Sequence, residues 1–205
     1  MTIGKGITRR GFLAGLVGAV ATGTRGAGAA TCAPTEANPE GPFYIGGAPF
    51  RTQIAPGGEP GDRLVVSGTV LSAASCRPLQ GAVVDVWHAN AAGMYYGLEG
   101  AAGDEAWQLR GRARTGVDGA YRFETILPGR YPLSPSRLRP RHIHYLVTAP
   151  GHRPLATQLY FAGDPSLEGD PLVRQGLVMP LGATRATGGV GTLWSAVFDV
   201  TLAPL

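Results

Sequence analysis

Short runs of apolar residues recur along the chain, and they predict β-strands. Residues 64–71 and 82–87 are rich in valine and other residues typical of strands. Residues 121–125 and 194–202 alternate between apolar and polar positions with a period of two, as half-buried strands do. Several short strands separated by turn signals indicate an all-β fold, and we expect a β-sandwich core with long loops.

Glycine and proline punctuate this pattern and leave little room for helices. The chain has 32 glycines and 17 prolines, and long helical periodicity is absent. Asp118-Gly119, just before the strand at 121–125, predicts a tight turn. The one credible helix is short, with Asp170 as its cap, Pro171 in its first turn and its end near Gly176.

The first 29 residues have the composition of a cleaved export signal. Basic residues, among them Arg9 and Arg10, precede an apolar run over 11–22, and small residues follow at 27–29. The run is shorter than the roughly 20 residues of a membrane-spanning helix, which argues against a stable membrane anchor. Arg9-Arg10 followed by Phe-Leu resembles a twin-arginine signal. We therefore expect export to the periplasm or the cell exterior.

After this leader (1–29) we expect an N-terminal arm over 30–60 and one β-sandwich domain over 61–205. Residues 30–60 carry no clear strand pattern and are expected to pack over the sandwich. The leader holds four of the 18 basic residues and no acidic one, which leaves 14 basic against 14 acidic residues. This balance does not support a basic surface for nucleic acid.

Cys32 and Cys76 are the only cysteines of the chain. In an exported protein an even pair of cysteines is a candidate disulfide. Two unpaired thiols are the alternative.

His142 and His144 are the first candidate metal ligands. Residues i and i+2 of a strand point to the same face, so these two imidazoles converge. The simpler alternative is two unrelated polar residues on a solvated strand face. His88 and His152 have no comparable spacing, and the chain contains no Cys-x-x-Cys and no Glu-x-x-His. A zinc site with three or four ordinary ligands is therefore hard to assemble.

Tyr95 and Tyr131 follow predicted strands, where loops on a rigid scaffold commonly build sites. Tyr131 lies between a glycine turn and Pro132, which fixes its direction. Taken alone, each tyrosine is more simply a packed aromatic residue. Tyr96 is adjacent to Tyr95, and only one of the two can face a given site because neighbouring strand residues point oppositely.

Six segments resemble, in family order, the intradiol ring-cleavage dioxygenases, which include protocatechuate 3,4-dioxygenase and catechol 1,2-dioxygenase. The likeness covers nearly all of the chain from about residue 40 to residue 200. The segments are EGPFY (40–44), PLQGAVVDVW (78–87), NAAGMY (90–95), TILPGRYP (125–132), RPRHIH (139–144) and TQLYFAGDP (157–165).

The resemblance implies a non-haem Fe(III) centre whose ligands are Tyr95, Tyr131, His142 and His144. Phenolates are hard anionic ligands and imidazole also suits iron, which agrees with this set. The resemblance further implies that Tyr131 leaves the metal and accepts a substrate proton. Arg139 matches an arginine that stabilises negative charge on the substrate, and Gln158 matches a glutamine that positions that arginine.

The implied reaction uses O2 to cleave a small aromatic diol between its hydroxyl-bearing carbons, giving a cis,cis-muconate-type dicarboxylate. Protocatechuate, catechol, hydroxyquinol and lignin-derived catechols all stay open as substrates. Candidate residues for reading the ring substituent lie at 40–44, 94–98 and 133–138. His88 either lines the same cleft or is buried and hydrogen-bonded. A homo-oligomer is compatible with the sequence.

Two other functions compete with this one. An exported β-sandwich could be a binding module without catalysis, but the complete ligand set argues against a degenerate site. A cupin-type metalloenzyme also uses His-x-His, yet the third histidine and the glutamate of such sites are missing.

Overall fold

The computed structural model describes Met1 and residues 32–98, 103–134, 137–185 and 192–205. Apart from Met1, the leader predicted over 1–29 lies outside the described residues. In the described part, no helix is long and apolar enough to cross a membrane. The strands are β1 Arg63–Ser72, β2 Val83–His88, β3 Arg110–Arg114, β4 Ala120–Ile126, β5 Tyr131–Ser134, β6 Arg137–Arg139, β7 His142–Thr148, β8 Leu155–Phe161, β9 Val178–Met179, β10 Gly182–Arg185, β11 Thr192–Val197 and β12 Val200–Leu202.

In the described residues the strands form two five-stranded sheets and one two-stranded sheet, so the all-β prediction is confirmed. The first sheet has the order β10-β11-β1-β12, with β4 also paired to β1. The second has the order β3-β2-β7-β8-β9, and β5 pairs with β6. In the described residues the helices are three short 3-10 turns, Gly103–Trp107, Pro165–Leu167 and Gln175–Leu177.

The strands predicted from the apolar pattern are present. The runs at 64–71, 82–87 and 121–125 become β1, β2 and β4. The alternation over 194–202 is divided into β11 and β12, which pair in parallel with successive halves of β1. Gly68 lies opposite this break, where a Cβ would stand 1.9 Å from the Phe198 carbonyl oxygen. The close approach of the two backbones therefore requires glycine.

One continuous apolar core holds the two sheets together. Buried side chains come from both, among them Phe123 from the first and Tyr145 and Leu159 from the second, and Phe198 adds to them from the break between β11 and β12. The Tyr145 ring packs edge-on against Phe198, with the ring centroids 5.1 Å apart. Burial of such side chains stabilises a fold by roughly 1.5–3 kcal/mol each.

The helix predicted over 170–176 is wrong. The Asp170 carboxylate accepts a hydrogen bond from the Leu172 N–H at 2.8 Å, and its carbonyl accepts one from the Val173 N–H at 3.2 Å. These bonds close a single turn, after which Arg174 is extended (φ −120°, ψ 134°). An aspartate before a proline fits a turn as well as a helix cap, and here the turn forms.

The N-terminal arm, described from Cys32 onward, packs along the sheets through backbone hydrogen bonds. Thr35 N–H donates to the Thr201 carbonyl at 3.0 Å, and Asn38 N–H donates to the Ala156 carbonyl at 2.9 Å. Cys32 and Cys76 form a disulfide with a Cα–Cα distance of 5.4 Å. The division into an arm (30–60) and a domain (61–205) stays a prediction.

His88 joins the two sheets. It ends β2, is buried, and has its Nδ1 2.8 Å from the Ala89 carbonyl and its Nε2 2.7 Å from the Thr125 hydroxyl in β4. Because a carbonyl can only accept, Nδ1 carries the proton and Nε2 accepts from Thr125. Burial, helped by nearby Arg110 and opposed by the bond to Ala89, lowers the pKa of His88 to about 4. The ring is thus neutral near pH 7.

We predict that acid destabilises the metal-free protein partly through His88. An unfolded histidine has a pKa of about 6.5, so between about pH 6.5 and 4 the unfolded state binds a proton that the native state does not. For this residue, the free energy of unfolding should decrease by up to about 1.4 kcal/mol for each unit by which the pH is lowered. Urea unfolding at pH 7, 6 and 5 should give a shallower pH dependence for His88→Gln. Equal slopes in wild type and variant would contradict the assignment.

Candidate active site

His142 and His144 open β7, which lies between β2 and β8 in the second sheet. Both are buried, and their ring centroids are 4.8 Å apart. Ile143, between them, points into the apolar core. The period-two geometry of the strand therefore brings both imidazoles to one point, as the His-x-His spacing predicts.

Hydrogen bonds and packing fix the orientation of both rings. His142 Nδ1 lies 2.6 Å from the Pro140 carbonyl, so Nδ1 donates and the Nε2 lone pair faces inward. Trp87 stacks on His144 with an interplanar angle of 2° and ring centroids 5.0 Å apart. Burial lowers the pKa of His142 to about 4 and the pKa of His144 well below its usual value. Both are thus neutral imidazoles, the form that binds metals.

Tyr95 completes this cluster from the turn that follows β2. The Asn90 side-chain oxygen accepts hydrogen bonds from the N–H groups of Ala92 and Met94, both at 3.0 Å. The Tyr95 hydroxyl oxygen lies 3.3 Å from His142 Nε2 and 3.1 Å from His144 Nε2. Burial raises the pKa of this phenol. Three polar atoms therefore meet in a buried place.

Tyr131 begins β5 and lies in the same cleft. Its ring packs edge-on against Tyr95, with the centroids 6.0 Å apart. The loops that carry the two tyrosines pass very close to each other, and glycines make this close approach possible. A Cβ on Gly93 (φ +83°) would stand 2.2 Å from the Arg130 carbonyl oxygen, and one on Gly129 would stand 2.3 Å from the Ala91 carbonyl oxygen. The two tyrosines are thereby held in a fixed relation.

Tyr96 points away from this cluster. Its hydroxyl donates to the Glu59 carboxylate at 3.1 Å. Of the two adjacent tyrosines, Tyr95 faces His142 and His144, in line with the Gly-x-Tyr spacing of the resemblance.

The donor set fits a metal ion. Two atoms that bind one ion at about 2.0–2.2 Å are at most about 4.4 Å apart, and the Tyr95 oxygen lies within 3.3 Å of both imidazole nitrogens. A cation between these three atoms would satisfy their lone pairs together. Among the described residues no three His, Cys, Asp or Glu side chains cluster. An ion at this place would therefore depend on phenol oxygens besides the two imidazoles, which favours a hard trivalent ion.

Arg139 is held at the wall of the cleft by three partners. Its Nε donates to Asp170 at 2.9 Å, and its Nη2 donates to the Gln158 side-chain oxygen at 3.1 Å and to the Tyr160 hydroxyl at 2.9 Å. Gln158 in turn donates from its amide nitrogen to the Pro39 carbonyl at 2.7 Å. Burial raises the pKa of Tyr160 to about 12, so its hydroxyl stays protonated and donates to Gln158. The guanidinium is thus rigidly oriented.

The cleft in front of these groups has a volume of about 350 Å³. Its apolar walls come from the arm (Pro39, Pro42), from Leu133, and from Pro171 and Leu172. The predicted substituent-reading segments contribute only in part, through residues 41–43, 95, 133 and 137.

The arm closes directly over the candidate ligands. Phe43 stacks on Tyr95 with centroids 4.2 Å apart. A Cβ on Gly41 (φ +79°) would lie 3.0 Å from the His144 ring. Arg110 is buried and donates to the Phe43 carbonyl at 2.7 Å and to the Tyr96 carbonyl at 2.8 Å. Arg110 therefore ties the arm to the Tyr95 turn.

Sequence reasoning missed several of these residues. Tyr160 is two positions after Gln158 on β8, so strand periodicity could have placed it beside Gln158. Asp170 appeared only as a helix cap, and its pairing with Arg139 joins residues 31 positions apart. Arg110 gave no signal, because an arginine in a strand is normally exposed.

Comparison with known proteins agrees with this geometry. Residues 39–204 match the family model described as "Dioxygenase". The catechol 1,2-dioxygenase of Acinetobacter baylyi is 36% identical over 81% of this chain and 61% of its own length. The chlorocatechol 1,2-dioxygenase of Rhodococcus opacus is 39% identical over 69% of this chain and 63% of its own length. The chain thus spans about three fifths of the length of both.

A solved structure is similar over its whole length. It is the dioxygenase domain of a dioxygenase–carbohydrate-binding protein fusion from Streptomyces sp. SirexAA-E. The two share 36% identity with a TM-score of 0.67, over 84% of this chain and 100% of that one. With the family match over residues 39–204, these likenesses show that the chain belongs to the intradiol dioxygenase family.

Proposed function

We propose that this chain is a non-haem Fe(III) enzyme that cleaves a catechol-type ring with O2 between its hydroxyl-bearing carbons. The product is a cis,cis-muconate-type dicarboxylate. The observation that carries the proposal is the approach of the Tyr95 oxygen to the Nε2 atoms of His142 and His144, at 3.3 and 3.1 Å, beside a cleft. Membership of the intradiol dioxygenase family supports it.

Tyr95, Tyr131, His142 and His144 would hold the iron. When bound, Fe(III) would supply Lewis-acid chemistry that makes the ring of a catechol more reactive towards O2. Tyr95 is nearly enclosed, with 9% of its surface exposed, whereas Tyr131 is partly exposed in the cleft. Tyr131 would therefore be the more accessible of the two hydroxyl groups to the substrate, and it would accept one of the substrate's protons.

Arg139 would stabilise the negative charge that develops on the substrate. Its guanidinium is oriented by Asp170, Gln158 and Tyr160 before any substrate arrives. Donors fixed in advance do not need to reorganise during the reaction, and this makes their electrostatic contribution large. Gln158 acts through Arg139 and is a positioning residue.

The cleft would bind the ring by its apolar walls. A volume of about 350 Å³ is at the small end of the range of about 300–1,000 Å³ for small-molecule sites, which suits a single aromatic ring. Phe43 and Pro42 of the arm line the cleft together with Leu133 and Leu172, and these side chains would contact the ring. These side chains would also exclude water from the reacting atoms.

We expect the tyrosine ligands to be visible in the spectrum. Iron-loaded wild-type protein should show a broad tyrosinate-to-iron band that shifts when catechol or protocatechuate is added in air, followed by ring-opened product. Tyr95→Phe and Tyr131→Phe should each alter the band. Tyr131→Phe should lower kcat/KM by about 10²-fold or more, because it removes a proton acceptor. Absorption spectra and product analysis measure both effects.

Tyr96→Phe is the matched control, because it removes the same group from a neighbour that bonds Glu59 instead. It should leave the band unchanged. If the band is present but no catechol shifts it, the iron site would be supported and ring cleavage would be rejected. A colourless protein after iron loading would favour the non-catalytic binding module.

We predict that Arg139→Met lowers kcat by about 10²–10³-fold with a smaller change in KM, the magnitude known for removal of one preorganised charge-stabilising donor. This change leaves the buried Asp170 carboxylate without its cationic partner, which destabilises the protein. The double variant Arg139→Met/Asp170→Asn should therefore regain stability but not activity. Steady-state kinetics and thermal unfolding measure the two effects. Arg122→Met, at an exposed ion pair with Glu124, is the control. A kcat within threefold of wild type for the double variant would reject the electrostatic role.

We also propose that residues 1–29 direct export through the twin-arginine route to the periplasm or the cell exterior. The disulfide between Cys32 and Cys76 supports this, since such bonds persist in oxidising compartments. A reporter fused to residues 1–29 should be exported, and Arg9→Lys/Arg10→Lys should block that export. Export that is unaffected by the paired change would reject the twin-arginine route.

A further inference from the structure

Asp164 lies behind the cleft and has no role in the chemistry described so far. It follows β8, and its side chain is 1% exposed. One carboxylate oxygen (Oδ1) accepts hydrogen bonds from Arg130 Nε and from the Ser166 N–H, both at 2.9 Å. The other (Oδ2) accepts one from the Arg141 N–H at 2.9 Å and lies 3.8 Å from Arg141 Nη1. Four donor groups from three chain segments thus surround one carboxylate.

Two of these segments carry candidate iron ligands. Arg130 immediately precedes Tyr131, and Arg141 immediately precedes His142. One oxygen of Asp164 therefore holds the Tyr131 segment while the other holds the His142 segment. Asp164 does not line the cleft, so it acts on these residues from behind.

The hydrogen bonds that the Asp164 carboxylate accepts are strong ones, because the acceptor is charged. Burial by itself would raise the pKa of Asp164, but the N–H groups of Arg141 and Ser166 and the Arg130 guanidinium outweigh it and lower the pKa. Asp164 is therefore a carboxylate near neutral pH, and it accepts a charge-assisted hydrogen bond from Arg130. Removing one partner of a buried, charged network costs far more than breaking a surface contact.

We propose that Asp164 is a positioning residue that fixes the spacing between Tyr131 and His142. The functional meaning of this spacing rests on the proposed iron site, to which both residues would contribute. Partners that orient metal ligands typically change metal affinity or activity by about 10–100-fold when removed. Asp164 would act entirely through such positioning, since it contacts neither the cleft nor the ligand side chains.

The contributions of the two Asp164 carboxylate oxygens can be tested separately by mutation. In Asp164→Asn the amide oxygen can replace only one carboxylate oxygen. It should stay with the two donors Arg130 and Ser166, which turns the NH2 group toward the Arg141 N–H and breaks the tie on the His142 side. Arg130→Met removes the hydrogen bond on the Tyr131 side and keeps an unbranched apolar chain in place of the aliphatic part of arginine. Arg130 is 30% exposed, so this variant is expected to fold even where Asp164→Asn does not.

The first test uses hydrogen exchange in the metal-free protein. Asp164→Asn should speed exchange of the Arg141 amide by tenfold or more and reduce protection at 140–143, with little change at 129–132. Arg130→Met should reduce protection at 129–132 alone. Arg122→Met is the matched control, because it breaks an ion pair whose side chains are 56% and 53% exposed. It should change neither segment. Faster exchange confined to 163–166 would overturn the proposal, since Asp164 would then only cap its own turn.

The second test asks whether Arg130 acts through Tyr131. In the iron-loaded protein, Arg130→Met should shift the visible band and raise KM for catechol. Neither effect should appear when Arg130→Met is made in a Tyr131→Phe background, because the positioned hydroxyl is then absent. Equal effects in both backgrounds would indicate a general structural role and overturn the proposal.

The two proposals fail in different ways. Wild-type protein that binds no iron or cleaves no catechol would reject the proposed function. The exchange experiment needs neither iron nor substrate, so it would still decide whether Asp164 fixes the spacing of the two segments.

Discussion

The approach of one phenol oxygen to two imidazole nitrogens inside the protein is the constraint on which the rest of the structure depends. The Nε2 atoms of His142 and His144 lie within 3.3 Å of the Tyr95 phenol oxygen, largely out of contact with water. Polar groups are buried at a cost unless partners satisfy them. Strand β7 supplies the two nitrogens from its regular period, whereas the oxygen comes from a turn that depends on Gly93 and on the loop before Tyr131.

Two buried arginines organise the walls around this cluster in different ways. Arg139 has a carboxylate partner, Asp170, and also bonds Gln158 and Tyr160. Arg110 donates only to backbone carbonyls, and in the described residues no carboxylate pairs with it. A buried cation without a counter-ion is costly. The buried Asp85 carboxylate favours the charged form of Arg110 and offsets part of this cost without contacting it directly.

Features set by local geometry could be predicted from the sequence, and features set by distant contacts could not. Alternation reports burial directly, which is why β1, β2 and β4 were predictable and why the spacing of His142 and His144 indicated a shared site. The motif resemblance placed Tyr95 rather than Tyr96 in that site, and the structure turns Tyr96 to Glu59. The helix expected after Asp170 failed because Asp-Pro serves both turns and helix starts. Which of the two forms is decided by neighbours such as Arg139, far away in sequence.

The position of β1 has a consequence for how the chain acquires its structure. This early strand pairs in parallel with β11 and β12 at the far end of the chain, and Thr69 bonds Asp199 across a separation of 130 residues. The first sheet therefore cannot be completed until β11 and β12, which follow β1 much later in the chain, have been synthesised. The chain loses the entropy of closing this long loop before strand pairing can stabilise it. This order of events is characteristic of slow-folding β proteins. Until then β1 pairs only with β4, and its other edge is unpaired, the kind of edge that chaperones protect from aggregation.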